Sequence, residues 1–249
     1  PEDVDHEDKC ARLLRHMYGT RAAADGWQEE YSSFMVETLG FAQGTSSPCV
    51  FRHPTRQLVA SVHGDDFTTA GAKNDLDWYE SEIKKKYECT IQPRIGPGRH
   101  DAKEAIVLNR VIRWTPDGIE YEAGPRQAEK PVTECGLAGS NSVATPGLRL
   151  SHAHVKSDEP LEPRLHTAFR AAAARADYLA ADRLDCQCDA KEICRHMANP
   201  CKSAWNALKR PCRYFVGFPR MVFRYPWQGA SATEVYTDTY FAGCPRTRK

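Results

Sequence analysis

Ser61-Val62-His63-Gly64-Asp65-Asp66-Phe67-Thr68 sets two adjacent carboxylates in the middle of a short apolar run that otherwise reads as strand. Gln57-Leu58-Val59-Ala60-Ser61-Val62 leads into the pair, and Phe67-Thr68-Thr69-Ala70-Gly71 leads out toward a turn glycine. Both runs are rich in β-formers, so the two aspartates are expected at the tip of a tight hairpin. Burying an unpaired carboxylate among apolar side chains is costly, which points the pair at water, a cation or a metal. Hard oxygens side by side suit magnesium, which takes one or two carboxylates plus substrate phosphates. An Asp-Asp pair in a turn also serves to cap backbone N–H groups, and both readings stand on the motif alone.

The 249 residues are enough for one large or two modest domains with a sizeable core. The chain is 41% hydrophobic and 27% charged, an ordinary globular balance, and no apolar run approaches the roughly 20 residues of a membrane span. No membrane partner is therefore expected. A net charge of +1 gives no global basic field, so nucleic-acid contacts would have to come from local patches. The opening Pro1-Glu2-Asp3-Val4-Asp5-His6-Glu7-Asp8 is acidic and has no apolar leader core, so an intracellular setting, cytoplasmic or nuclear, is expected. With no initiator methionine and an ending in Cys244-Pro245-Arg246-Thr247-Arg248-Lys249, the sequence reads as cut from something longer. Ten cysteines are scattered without a disulfide framework, and reduced thiols are expected. Cys186, Cys188, Cys194 and Cys201 form the densest group, but Cys-x-Cys is tighter than the usual zinc spacing.

Trp27, Tyr31, Phe34, Met35 and Leu39 fit one face of a helix that starts near Ala22 to Asp25 and is stopped by Gly40, with Arg21 a cationic contact at its entrance. A second amphipathic helix is expected over Asn74 to Tyr87, with Lys84-Lys85-Lys86 in its last turns. That lysine run suits either phosphates or the helix dipole. Ala105 to Trp114 and Gly118 to Tyr121 read as strands around the turn Thr115-Pro116-Asp117-Gly118. Gly136 to Glu159 reads as a linker or surface loop. Helices are expected over Leu165 to Leu184, Asp189 to Met197 and Ser203 to Phe215, a region made basic by Arg195, Lys202, Lys209, Arg210 and Arg213. Met221 to Tyr225 and Thr233 to Asp238 read as closing strands.

The order of these segments resembles the Pol polyprotein of copia-type LTR retrotransposons, from the later part of the reverse transcriptase domain into the start of ribonuclease H. Met17-Tyr18-Gly19-Thr20-Arg21 followed by Trp27 is similar to the family's Leu-Tyr-Gly-Leu-Lys…Trp block, and Thr38-Leu39-Gly40-Phe41 to its Leu-Gly-Phe. His63-Gly64-Asp65-Asp66-Phe67 stands where the family has its Tyr-Val-Asp-Asp box, and Val143-Ala144-Thr145-Pro146 closes a segment that ends on a Thr-Pro. Arg183-Leu184-Asp185, Asn199-Pro200 and Tyr214-Phe215-Val216-Gly217 resemble its Arg-Pro-Asp, Asn-Pro and Arg-Tyr-Leu-Lys-Gly run. Tyr236-Thr237-Asp238-Thr239-Tyr240-Phe241-Ala242-Gly243-Cys244 resembles its ribonuclease H opening.

The resemblance implies an RNA-directed DNA polymerase that joins nucleotides with two magnesium ions, Asp65 as direct ligand and Asp66 in support. Asp238 would be the first ribonuclease H metal ligand, and His63 and Gly64 would lie against the nucleotide. Arg21, Lys84, Lys85, Lys86, Lys209 and Arg210 would meet nucleic acid. The implied partners are an RNA template, a DNA primer, deoxynucleotides and the remaining Pol segments, integrase and ribonuclease H. The fold implied is α+β: a partial fingers and palm over 1–135 with the Asp-Asp hairpin, a linker over 136–160, a helical thumb or connection over 161–219, and a truncated ribonuclease H start over 220–249. Ala22 and Asp25 replace the family's Gln and Arg, and Tyr240 replaces an acidic residue. The third palm carboxylate has no counterpart before the Tyr-Gly block, so the chain by itself is expected to be inactive. A non-catalytic nucleic-acid-binding remnant and a zinc module built on Cys186 to Cys201 are the alternatives.

Overall fold

The computed structural model describes residues 13–147, 159–229 and 234–237. They form helices and two four-stranded antiparallel sheets, in keeping with the expected α+β class, and the chain parts into two compact units, Pro1–Gln92 and Pro93–Lys249. The composition breaks at 135, 160 and 219 fall inside the second unit.

In the first unit, helix α1 spans Arg21–Ser33. It begins ahead of the expected start because the Thr20 hydroxyl accepts from the Ala23 N–H at 3.3 Å and caps it. Its end widens into a π-helical turn, Phe34–Thr38, and Gly40 reverses the chain with a φ of +76°, which an L side chain adopts only with strain. Strands β1 (Ala42–Gln43), β2 (Val50–Arg52), β3 (Leu58–His63) and β4 (Asp66–Gly71) follow as a meander in which each strand pairs with the next. Helix α2 spans Lys73–Lys86, with Asp75 in its first turn and the three lysines in its last, both signs matching the helix dipole.

Alternation along β3 buries Leu58, Ala60 and Val62 and exposes Val59, Ser61 and His63. The buried three join Tyr31, Phe34 and Met35 from α1 and its π turn, Phe51 from β2, and Tyr79 and Ile83 from α2 in one core. Both helices therefore cover the same face of the sheet, and the other face is open to solvent.

In the second unit, β5 (Glu104–Val107), β6 (Arg110–Thr115) and β7 (Gly118–Ala123) form another meander. The single strand expected over Ala105 to Trp114 is thus two, because Leu108 and Asn109 both take positive φ, +49° and +64°, and turn the chain. Helix α3 (Arg126–Glu134) was not legible in the sequence, since Pro131 sits inside it and Gly124-Pro125 precede it. Helices α4 (His166–Ala180), α5 (Gln187–Cys194) and α6 (Lys202–Gly217) share a core in which the small Ala172, Ala173, Ala176 and Ala180 of α4 leave room for the larger Ile193 and Leu208. Residues 136–147 contain no helix or strand.

The strand expected over Met221 to Tyr225 is β8, Val222–Pro226, and it pairs antiparallel with β7. The sequence reads 220–249 as a truncated ribonuclease H start, whose strands would lack their partners; β8 does find a ladder within this unit, on β7, which would otherwise present an open edge. Glu234 to Thr237 are not in a strand, contrary to the alternation read there, and Asp238 lies outside the described residues. No described helix is long and apolar enough to cross a membrane.

Candidate functional site

The hairpin joins β3 and β4 through two residues. Val62 pairs with Phe67 and His63 with Asp66, which leaves Gly64 and Asp65 as the turn. Only the first turn position has positive φ, +63° at Gly64, the pattern of a type II′ turn that follows the twist of the strands. Asp65 therefore sits at the tip, whereas Asp66 is the first residue of β4 rather than part of the tip. Side chains alternate across the sheet, so His63 and Asp66 share the open face with Ser61 and Thr68 while Val62 and Phe67 turn toward the core. Both aspartates are exposed, and among the described residues no backbone N–H donates to either carboxylate. The turn-capping role is thereby left without a partner.

Trp27 positions the tip. Its indole Nε1–H donates to the Gly64 carbonyl oxygen at 2.8 Å, and its ring meets Tyr31, Phe67 and Tyr87 edge-on at 5.7, 6.3 and 5.3 Å. Apolar spacing places Trp27 on the packed face of its helix and says nothing of a bond to the hairpin. Its place in the Tyr-Gly…Trp block was the available signal.

Among the described residues, no three His, Cys, Asp or Glu side chains are grouped to hold a metal ion. Cys186, Cys188, Cys194 and Cys201 accordingly do not converge, which removes the zinc module. The hairpin offers two hard, exposed carboxylates, Asp65 at the tip and Asp66 on the open face, a donor set that fits magnesium when waters and phosphates complete the coordination.

The basic residues are largely engaged. Lys84 pairs with Glu80 and Lys85 with Glu82, each at 2.6 Å, and Lys86 reaches Glu30 of α1 at 2.7 Å. These exposed pairs are individually weak and can exchange for phosphate oxygens. Arg21 is almost fully exposed, with Asp25 at 3.8 Å. In the second unit, Lys209 lies over the Trp205 ring at 5.6 Å, while Arg210 holds the preceding loop through Thr145 Oγ1 at 2.8 Å and the Gly147 carbonyl at 3.1 Å. Arg210 is thus a loop anchor as well as a basic residue.

No protein-family model matches the chain, and no solved structure matches it. Two proteins of Arabidopsis thaliana do. A retrovirus-related Pol polyprotein from transposon RE2 is 24% identical over 248 residues, and one from transposon RE1 is 23% identical over 255. Each alignment covers 97% of this chain, which spans 16% of the length of the relatives it matches. Along nearly its whole length, then, the chain is related to the Pol polyproteins of retrotransposons.

Proposed function

We propose that the chain is part of a copia-type RNA-directed DNA polymerase and that the β3–β4 hairpin is its palm hairpin. The observation that carries this reading is the exposed Asp65-Asp66 pair on a two-residue turn held by Trp27. Asp65 at the tip is the direct metal ligand, and Asp66, beside it on the open face, supports it. Magnesium held there supplies Lewis-acid stabilisation at the nucleotide α-phosphate during in-line displacement by the primer hydroxyl. His63 shares the face of Asp66 and lines the nucleotide. Gly64 has no side chain to obstruct that approach. Arg21 and Lys84 to Lys86 meet the nucleic-acid backbone by trading their surface pairs for phosphates. Lys209 and Arg210 do the same from the helices of the second unit, the thumb or connection region in this reading. Asp238 belongs to a ribonuclease H segment, and the other Pol segments are the protein partners.

The described residues place two carboxylates at the hairpin and no third acidic group with them. That favours a second reading in which the chain grips RNA–DNA hybrid without chemistry. Primer extension on an RNA template with magnesium separates the two. The assay uses the chain, and the longest reading frame enclosing it, each beside Asp65→Asn. Incorporation by the enclosing frame that Asp65→Asn abolishes supports the polymerase. Hybrid binding that weakens steeply with salt, without incorporation in any form, overturns it in favour of the binding remnant.

A further inference from the structure

The Sγ atoms of Cys135 and Cys212 lie 3.7 Å apart, although the two residues are 77 positions apart in sequence. Cys135 caps the C-terminal end of α3, and Cys212 sits inside α6 with 1% of its surface exposed. Cys135 is only partly buried and Cys212 fully so, which makes Cys135 the side of the pair nearer to a reagent in solvent. A disulfide needs a separation near 2.0 Å, so the sulfurs must close by roughly 1.7 Å, an adjustment small enough for side-chain rotation at the helix end.

We propose that Cys135 and Cys212 form a dithiol site that reacts with small-molecule disulfides and closes to an intramolecular bond between α3 and α6. This goes beyond the polymerase reading and does not depend on it. The Cys135 thiolate attacks one sulfur of a disulfide RSSR, forming a protein–SR mixed disulfide and releasing RS⁻, which takes up a proton. Cys212 loses its proton and attacks the Cys135 sulfur, expelling the second RS⁻. The dithiol is oxidised by two electrons and RSSR is reduced to two RSH, so atoms and charge balance.

The surroundings assign the order of attack. The hydrogen bond from the Cys212 thiol holds Cys135 below the ordinary thiol range, against the opposing effect of burial. The Glu134 carboxylate also opposes the shift, and the Lys209 ammonium assists it. Cys212 is pushed well above that range by the same bond and by burial, which suits it to resolve rather than to initiate. Among the described residues Cys135 and Cys212 form a thiol–thiol pair, whereas Cys49, Cys89 and Cys188 are exposed free thiols and serve as internal controls.

The test exposes the reduced, folded chain to oxidised glutathione, traps remaining thiols with N-ethylmaleimide, and digests it without reductant for mass spectrometry. The expected result is a linked Cys135–Cys212 peptide lighter by two hydrogens and restored by dithiothreitol, with only glutathione adducts on Cys49, Cys89 and Cys188. Cys212→Ser should trap glutathione on Cys135. Cys135→Ser, at the more exposed position, should leave Cys212 unmodified. The bridged form should melt higher by on the order of 10 °C, because the cross-link restrains a long loop of the unfolded chain. Absence of the linked peptide in folded protein, or bridging of Cys212 in Cys135→Ser, overturns the proposal.

Discussion

The indole Nε1–H of Trp27 donates across 2.8 Å to the carbonyl of Gly64, 37 residues further along the chain, so the first helix holds the turn that presents Asp65. The bond and the aromatic contacts act on different parts of the same side chain and separate by mutation. Trp27→Phe keeps a ring against Tyr31, Phe67 and Tyr87 and removes the donor. It should lower stability by about 1 kcal/mol, the usual net value of one partly exposed hydrogen bond. It should also speed amide exchange at Asp65 and Asp66 several-fold while leaving exchange in α2 unchanged. Equal acceleration in α2 would show that the indole supports the whole unit rather than the turn.

The hairpin was legible because its signals are local: β-rich runs on either side and a glycine able to take positive φ at the turn. The two helices of the first unit were legible from apolar spacing, and the start of α1 shifted by a few residues where its Thr20 cap decided it. The β5–β6 turn was hidden because Leu108 is not a turn residue, and α3 because Pro131 reads as a breaker. The pairing of β8 with β7 joins segments about 100 residues apart, and nothing in either sequence states it. At the site, the aspartates were found from their chemistry. The hold of Trp27 on Gly64 is a tertiary bond that periodicity cannot encode.

The Leu108-Asn109 turn carries strain that substitution should release. Both residues sit in the left-handed region, at φ +49° and +64°, as the two central positions of a type I′ turn require. For a side chain such as leucine this costs roughly 1–2 kcal/mol, less for asparagine and nothing for glycine. Leu108→Asn combined with Asn109→Gly should therefore stabilise the second unit by about 1 kcal/mol, read as a higher urea midpoint at unchanged slope. The Arg110 guanidinium donates to the Leu108 carbonyl at 2.9 Å, a backbone contact that the change preserves. A lower midpoint would mean that the half-buried leucine contributes more by packing than it loses to strain.

Alkaline pH should loosen the first unit by a route its core makes visible. Burial pushes the Tyr79 phenol up to about 12, and burial with the nearby Glu30 carboxylate does the same at Tyr87. An unfolded phenol loses its proton near pH 10, roughly, so this stability is complete below pH 10 and falls away as pH rises toward 12. Tyr79→Phe removes the more deeply buried of the two titrating groups. The variant should show a shallower fall in urea midpoint between pH 10 and 12 than the parent, and a fall of equal steepness would assign the effect elsewhere.

The buried ion pair of the second unit should respond asymmetrically to mutation. Arg183, 2% exposed, forks onto Asp185 through Nε at 2.9 Å and Nη2 at 2.7 Å, and its guanidinium carbon stands 5.0 Å from the Phe215 ring centre. Burial pushes the Asp185 carboxyl up, but the hydrogen bonds and positive charge of Arg183, helped by bonds from Tyr214 and Cys186, together leave it below the ordinary carboxylate range. The stability this provides is present above about pH 4 and declines as acid protonates Asp185 in the folded protein. Asp185→Asn strands a buried cation and should cost about 3 kcal/mol, at the low end for broken buried pairs because the carboxylate is partly exposed. Replacing both partners, Arg183→Met with Asp185→Leu, removes the charge and its counter-charge together and should recover most of that loss. Chemical denaturation of the single and double variants at pH 7 checks this, and a double variant no more stable than Asp185→Asn would show that the guanidinium is needed for its packing on Phe215 and Tyr214 rather than for its charge.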